Sequence, residues 1–279
     1  PCVAFIGNGS AGHYTKMVHN GIEYAMMQLI SEAYAILKNV CGCSNDEIHA
    51  VFTEWNHGPL QSFLVEITAN IFTVADDANT SQKLIDKVMD RAAQKGTGLW
   101  TSESALQLHV PAPTIDEAVA ARDLSSFKKE RMIISGFHKG SIPSNNHPDK
   151  TQVIRQLHDA LYFGVAISYV QGLHLLQTAS ATYNYEINIS EVIRVWKGGC
   201  IIRSAMLNDL GKAYAKNNQL LNVLLDKEFY LHLRNHRNEM VGTLAIAMDN
   251  EIAVSCMGSC LGYFDMFSTG RLPSNLIQA

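Results

Sequence analysis

Lys16-Met17-Val18-His19-Asn20-Gly21-Ile22-Glu23-Tyr24 is the stretch on which the reading of the fold turns. Lys16, His19, Asn20 and Glu23 stand at i, i+3, i+4 and i+7, offsets that share one face of an α-helix and span an axial rise of about 10 Å. Met17, Ile22 and Met26 supply apolar neighbours, so the run reads as part of an amphipathic helix over residues 14–38. A cation, an imidazole, an amide and a carboxylate would then line one wall of a polar cleft. Glutamate and lysine on one face also make an ordinary solvated surface, and spacing alone leaves both readings open. For Lys16 to act as a base it must lose its proton, which requires desolvation or nearby positive charge.

Working outward, the same periodicity recurs over 46–73, 80–95, 115–136, 150–181, 189–216, 218–225 and 227–248, which predicts an all-α fold. Asp46, Thr80, Thr114 and Ser190 stand where helix caps are expected, with Ser44 to Glu47 an alternative capping box. The Gly/Pro/Ser/Asn-rich stretch 137–149 is the clearest loop and divides the chain near its middle. Glu47-Ile48, Val51-Phe52, Trp55, Gly58 and Leu60 are echoed by Glu191-Val192, Val195-Trp196, Gly199 and Ile201, which suggests two similar halves in a repeat of roughly 140 residues. Coincidence among apolar helices is the alternative. At the start, Pro1–Ile6 reads as a short strand running into glycine-rich Gly7–Gly12, so residues 1–12 are expected to be a remnant strand and turn and 13–279 the helical domain.

Composition narrows the class of function. With 279 residues and 47% apolar side chains there is ample material for a core. A net charge of −4 argues against binding nucleic acid or a membrane surface through bulk electrostatics, and no apolar run approaches the roughly 20 residues that span a bilayer. With no signal-type leader either, a cytoplasmic protein is expected. The six cysteines lack paired zinc-ligand spacing, so reduced structural thiols and no metal are expected.

Gly7-Asn8-Gly9-Ser10-Ala11-Gly12 matches GxGxxG literally. Helix after helix follows it, without the βαβ units that a dinucleotide fold requires, so the run reads as a turn into the first helix. A second basic set comprises Lys95, followed by Gly96-Thr97-Gly98, and Arg122 in Ala121-Arg122-Asp123. Glycines beside lysine and threonine allow close approach to an oxyanion, and arginine clamps phosphate bidentately, although Arg122 suits an exposed helix face equally. His49, His57, His109 and His174 occur singly and read as packed or surface residues, and Trp55, Trp100 and Trp196 as core anchors.

Taken together, KMVHNGIEY, QKGTGLWT, AARDLSSFKKER, WKGGCIIRS and the final LPSNLIQA resemble decarboxylating 6-phosphogluconate dehydrogenase over essentially the whole chain. The step from Lys16 to Asn20 is shared with the wider β-hydroxyacid dehydrogenase superfamily. The resemblance implies an all-helical substrate and dimerisation domain and the oxidative decarboxylation of 6-phosphogluconate to ribulose 5-phosphate in the pentose phosphate pathway. It implies Lys16 as base and Glu23 as acid, with His19 and Asn20 orienting substrate and Tyr24, Lys95, Thr97 and Arg122 holding its phosphate end. It also implies NADP as hydride acceptor, bound by a preceding domain and not by these residues, and a homodimer. Three departures stand out. Only what looks like the last strand of a cofactor domain precedes Gly7, the chain stops before the arginine and histidine that complete a neighbour's site, and Leu99 replaces a lysine of the GTGKWT form. On this reading the chain would be inactive alone. Its rivals are another β-hydroxyacid dehydrogenase and a non-catalytic helical oligomerisation module.

Overall fold

Two long helices, α1 (Ala11–Asn39) and α7 (Lys150–Tyr183), pack lengthwise and form the spine of the molecule. They are seen in a computed structural model that describes residues 2–137 and 149–279. Among the described residues helix makes up 68% and strand 2%, which sets the all-α class. The periodic apolar residues explain the spine: Val18, Ile22, Ala25, Leu29 and Ile36 are buried on α1, and the stretch from Ala160 to Leu176 is buried on every side of α7. Two α7 glycines permit the close approach. A Cβ at Gly164 would lie 2.9 Å from Leu29 Cδ2, and one at Gly172 would lie 2.4 Å from Ile22 Cδ1. Helix α1 ends where Gly42 turns left-handed (φ +61°), with the Cys41 amide bonded to the Ile36 carbonyl and the Cys43 amide to that of Leu37.

The expected repeat is visible around this spine. Helix α2 (Asn45–Trp55) follows α1, capped by the reciprocal Ser44/Glu47 box, and α8 (Ile189–Trp196) follows α7, capped by the Asn188 side chain. Next come α3 (Phe63–Ile71) in the first half and α9 (Leu207–Lys216) in the second. An isolated antiparallel bridge between Ser62 and Ser204 joins the segments leading into these two helices, through Phe63 N–H to Arg203 O (3.1 Å) and Ala205 N–H to Gln61 O (2.8 Å). The two halves therefore meet backbone to backbone.

The remaining elements depart from expectation in instructive ways. Residues 80–95 are not helical: β1 (Ala75–Asp76) and β2 (Asn79–Lys83) form a small antiparallel hairpin, followed by a single 3-10 turn at Leu84–Lys87. Leu84, Ile85, Val88 and Met89 stand at helical spacing, but Leu84, Val88 and Met89 are exposed, so among the described residues the stripe has no surface to pack on and no helix is stabilised. Helix α4 (Thr97–Gln107), which lies outside the helical segments expected from sequence, is held by contacts with α1 and with α5 (Pro113–Ser125). Helix α6 (Lys128–Ser135) follows; the loop expected at 137–149 lies outside the described residues apart from its two ends. The segment 227–248 divides into α10 (Lys227–Arg234) and α11 (Arg237–Asp249). Helix α12 (Ser255–Phe267), unforeseen in sequence, is capped from α1: buried Glu32 accepts the Cys256 and Met257 amides, both at 2.9 Å. A short α13 (Ser274–Gln278) ends the chain.

Of the expected caps, Asp46, Thr114 and Ser190 lie within the first turns instead, and Thr80 lies in β2. Cys2–Ile6 finds no strand partner among the described residues; Val3 and Phe5 are exposed, and the Val3 carbonyl accepts from Arg194. No described helix is long and apolar enough to cross a membrane.

Candidate active site

The polar stripe of α1 faces α4 and α5, and it forms the wall expected from its spacing. Lys16 is exposed, while His19 beside it is buried at 2% exposure. Lys16 Nζ lies 3.2 Å from His19 Nδ1, and Asn20 Oδ1 lies 3.1 Å from the same nitrogen. One ring nitrogen carries either a lone pair or a proton, so these contacts are alternatives: Nδ1 accepts from the ammonium, or donates to the amide oxygen once protonated at that position. The Asn20 amide donates in turn to Thr97 Oγ1 at 3.1 Å, tying α1 to the first residue of α4.

Burial sets the charge states along this line. It holds the His19 imidazole at a pKa of about 4, assisted by the neighbouring Lys16 charge and opposed by the Asn20 hydrogen bond. His19 is therefore neutral at physiological pH, and its 3.9 Å approach to Glu23 Oε2 is neither a hydrogen bond nor an ion pair. Burial also raises the Glu23 carboxyl above its ordinary range, against the pull of the Lys16 and Arg122 charges. A carboxyl shifted upward is better suited to give up a proton near neutral pH. Trp196 from α8 stands edge-on to His19, their centroids 5.9 Å apart, and helps to keep water from the ring.

One turn further along α1, the Tyr24 ring carries the Arg122 guanidinium of α5, 3.9 Å from the ring centroid. Arg122 is also held by the Ala93 carbonyl (3.3 Å) and by contact with Met27 Sδ (3.9 Å). Seven of the eight residues expected at the site are thus brought together. The eighth, Lys95, is exposed just before α4 and makes no hydrogen bond or ion pair among the described residues. Gly96 adopts φ +93° as the N-cap of α4, and no side chain caps that helix, so its first amides face outward beside Lys95 and Thr97.

The same wall can be set against known proteins. Residues 12–279 match the family model of the 6-phosphogluconate dehydrogenase C-terminal domain. The chain belongs to this family. It is 48% identical to a decarboxylating 6-phosphogluconate dehydrogenase of Synechococcus elongatus and 45% identical to an NADP(+)-dependent, decarboxylating one of Bacillus subtilis, covering 100% of this chain and 59% of each relative. A solved structure of 6-phosphogluconate dehydrogenase from Plasmodium falciparum, described in apo form and in complex with NADP+ and with 6-phosphogluconate, superposes with a TM-score of 0.95. It is 41% identical, and the match covers 100% of this chain and 60% of that one. The chain therefore spans about three-fifths of the length of the relatives it matches.

At the start of the GxGxxG-like run the Asn8 amide donates to the Tyr185 carbonyl (2.7 Å), and a Cβ at Gly7 would lie 2.2 Å from that same oxygen, whereas Gly9 and Gly12 are open. Among the described residues no cluster of three or more His, Cys, Asp or Glu side chains could hold a metal ion. Of the tryptophans, Trp55 and Trp196 are buried, whereas Trp100 is half exposed on α4. Sequence reading missed the pairing of Trp196 with His19 and the Thr101 hydroxyl, which donates to the Met17 carbonyl across the α1–α4 contact. Both join residues distant in the chain, and no local spacing signals them.

Proposed function

We propose that this chain forms the substrate-binding and proton-transfer wall for oxidative decarboxylation of 6-phosphogluconate to ribulose 5-phosphate and carbon dioxide, with NADP as the hydride acceptor. The observation that carries this reading is the continuous line from Lys16 through His19 and Asn20 to Thr97, with Glu23 one turn beyond, in a chain of this family. Lys16 takes the proton of the 3-hydroxyl as C3 is oxidised. The 3-keto acid then loses carbon dioxide, its carbonyl accepting the electron pair while protonated Lys16 serves as the acid. The enediol that remains is protonated by Glu23, its carboxyl raised by burial, at its C1 (the former C2), as its neighbouring hydroxyl returns a proton to Lys16, which completes the ketone.

Neutral His19 supports the first step because its Nδ1 can accept from Lys16 without adding a second positive charge. His19 and Asn20 orient the substrate, and Tyr24, Lys95, Thr97 and Arg122 hold the phosphate. NADP, on this reading, is held mainly by residues outside this helical domain. A cytoplasmic homodimer in the pentose phosphate pathway belongs to the same reading.

Lys16→Met in the full-length protein tests it. Turnover of 6-phosphogluconate should fall by about a thousandfold or more while the urea unfolding curve is unchanged, since an exposed lysine carries no core packing. Wild-type turnover in the variant would exclude Lys16 as the base.

A further inference from the structure

We propose that Gly98 is the positioning residue that places the Arg122 guanidinium, and thereby sets the preference for a phosphorylated over an unphosphorylated sugar acid; this rests on the function proposed above. Gly98 is buried in the first turn of α4, at the point where α1, α4 and α5 converge. A Cβ there would stand 2.4 Å from Tyr24 Cδ2, 2.6 Å from Cε2 and 3.2 Å from Val119 Cγ2. The first two distances are far inside van der Waals contact, so the ring would have to move by about 1 Å to restore ordinary packing.

That ring is the platform on which the Arg122 guanidinium lies, and Val119 is one turn before Arg122 on α5. The same added methyl group therefore pushes both the platform and the helix that carries the cation. Neither of the other contacts can hold the guanidinium in place, since one is a 3.3 Å hydrogen bond to Ala93 O and the other a 3.9 Å approach to Met27 Sδ. Bidentate recognition of a phosphate needs two parallel N–H bonds, and a displacement of that size breaks the fork.

The backbone at Gly98 has no need of glycine for its own sake. It is helical and not in the left-handed region, and alanine is the better helix former. A role confined to helix structure therefore predicts that Gly98→Ala is neutral or stabilising, whereas the positioning role predicts a selective loss.

The test is steady-state kinetics of the full-length protein with 6-phosphogluconate and with gluconate, for wild type, Gly98→Ala, Tyr24→Ala and the double variant. Gly98→Ala should raise KM for 6-phosphogluconate about tenfold, with kcat held within about threefold and kcat/KM for gluconate within about twofold. With the ring gone the methyl group meets only Val119 Cγ2 at 3.2 Å, a contact that a small side-chain shift relieves, so the double variant should match Tyr24→Ala within about twofold on both acids. An unchanged KM in Gly98→Ala, an equal loss on the two acids, or a double variant that falls below Tyr24→Ala by a further large factor would each overturn the proposal. If Gly98→Ala alone does not fold, the comparison of Tyr24→Ala with the double variant decides. A wild type that does not discriminate between the two acids removes the functional reading itself, and the Gly98 proposal with it.

Discussion

The buried, neutral His19 makes a quantitative prediction about acid stability. Burial holds its imidazole at a pKa of about 4 in the folded chain, against the ordinary 6.5 of an exposed histidine, so on acidification the unfolded chain takes up a proton that the folded chain refuses. Stability is therefore lost as pH falls below the unfolded value, and the loss levels off below the folded one. Linkage puts the loss at about 2 kcal/mol between pH of about 7 and about 5, rising to about 3 kcal/mol near pH 4. The perturbation is His19→Asn, which keeps a polar atom near the position of Nδ1 and removes the titration. Urea unfolding is measured for both proteins across this pH range, and the quantity of interest is the difference between them, which cancels the other histidines and carboxylates. The wild-type advantage should shrink by about 2 kcal/mol on going from about pH 7 to about pH 5. Parallel curves, with a difference constant to within about 0.5 kcal/mol, would refute the argument that burial and the Lys16 charge keep this ring neutral.

Two further substitutions test the packing around the site. Glu32→Ala leaves the Cys256 and Met257 amides at the start of α12 without acceptors, and should cost about 3 kcal/mol in urea unfolding; amide exchange should open α12 before α7. Gly172→Ala drives a methyl group to 2.4 Å from Ile22 Cδ1 and should cost about 2 kcal/mol of thermal stability, part of which Ile22→Val in the same chain should restore; an unchanged melting temperature would mean that the spine yields at that crossing.

What could be read from sequence follows from how each feature is encoded. Helices α1 and α7 were legible because their apolar residues recur over many turns, and the polar stripe was legible because Lys16, His19, Asn20 and Glu23 share one helix. Helices α4 and α12 were not. Gly98, Thr101, Ser102 and Ser104 give α4 little intrinsic preference, and α12 begins on amides whose acceptor, Glu32, lies far away in sequence. The segment 80–95 misleads because Leu84, Ile85, Val88 and Met89 carry helical spacing while most of that stripe stays exposed, and periodicity does not report whether a face finds a partner. At the site, the Tyr24–Arg122 stack and the His19–Trp196 contact join different helices, so sequence supplied the candidate residues without their pairing. The glycine at 98 reads in sequence as room for an oxyanion; in the fold that room is filled by the Tyr24 ring.

The pairing of α1 with α7 also bears on how the chain is made. The apolar side of α1 is completed by α7, and more than a hundred residues lie between the end of one and the start of the other. At a ribosomal rate of about 5–20 residues per second, α1 waits on the order of ten seconds for that cover. During this interval Val18, Ile22, Leu29 and Ile36 lack their eventual neighbours, so the emerging first half is the species on which holding chaperones should act.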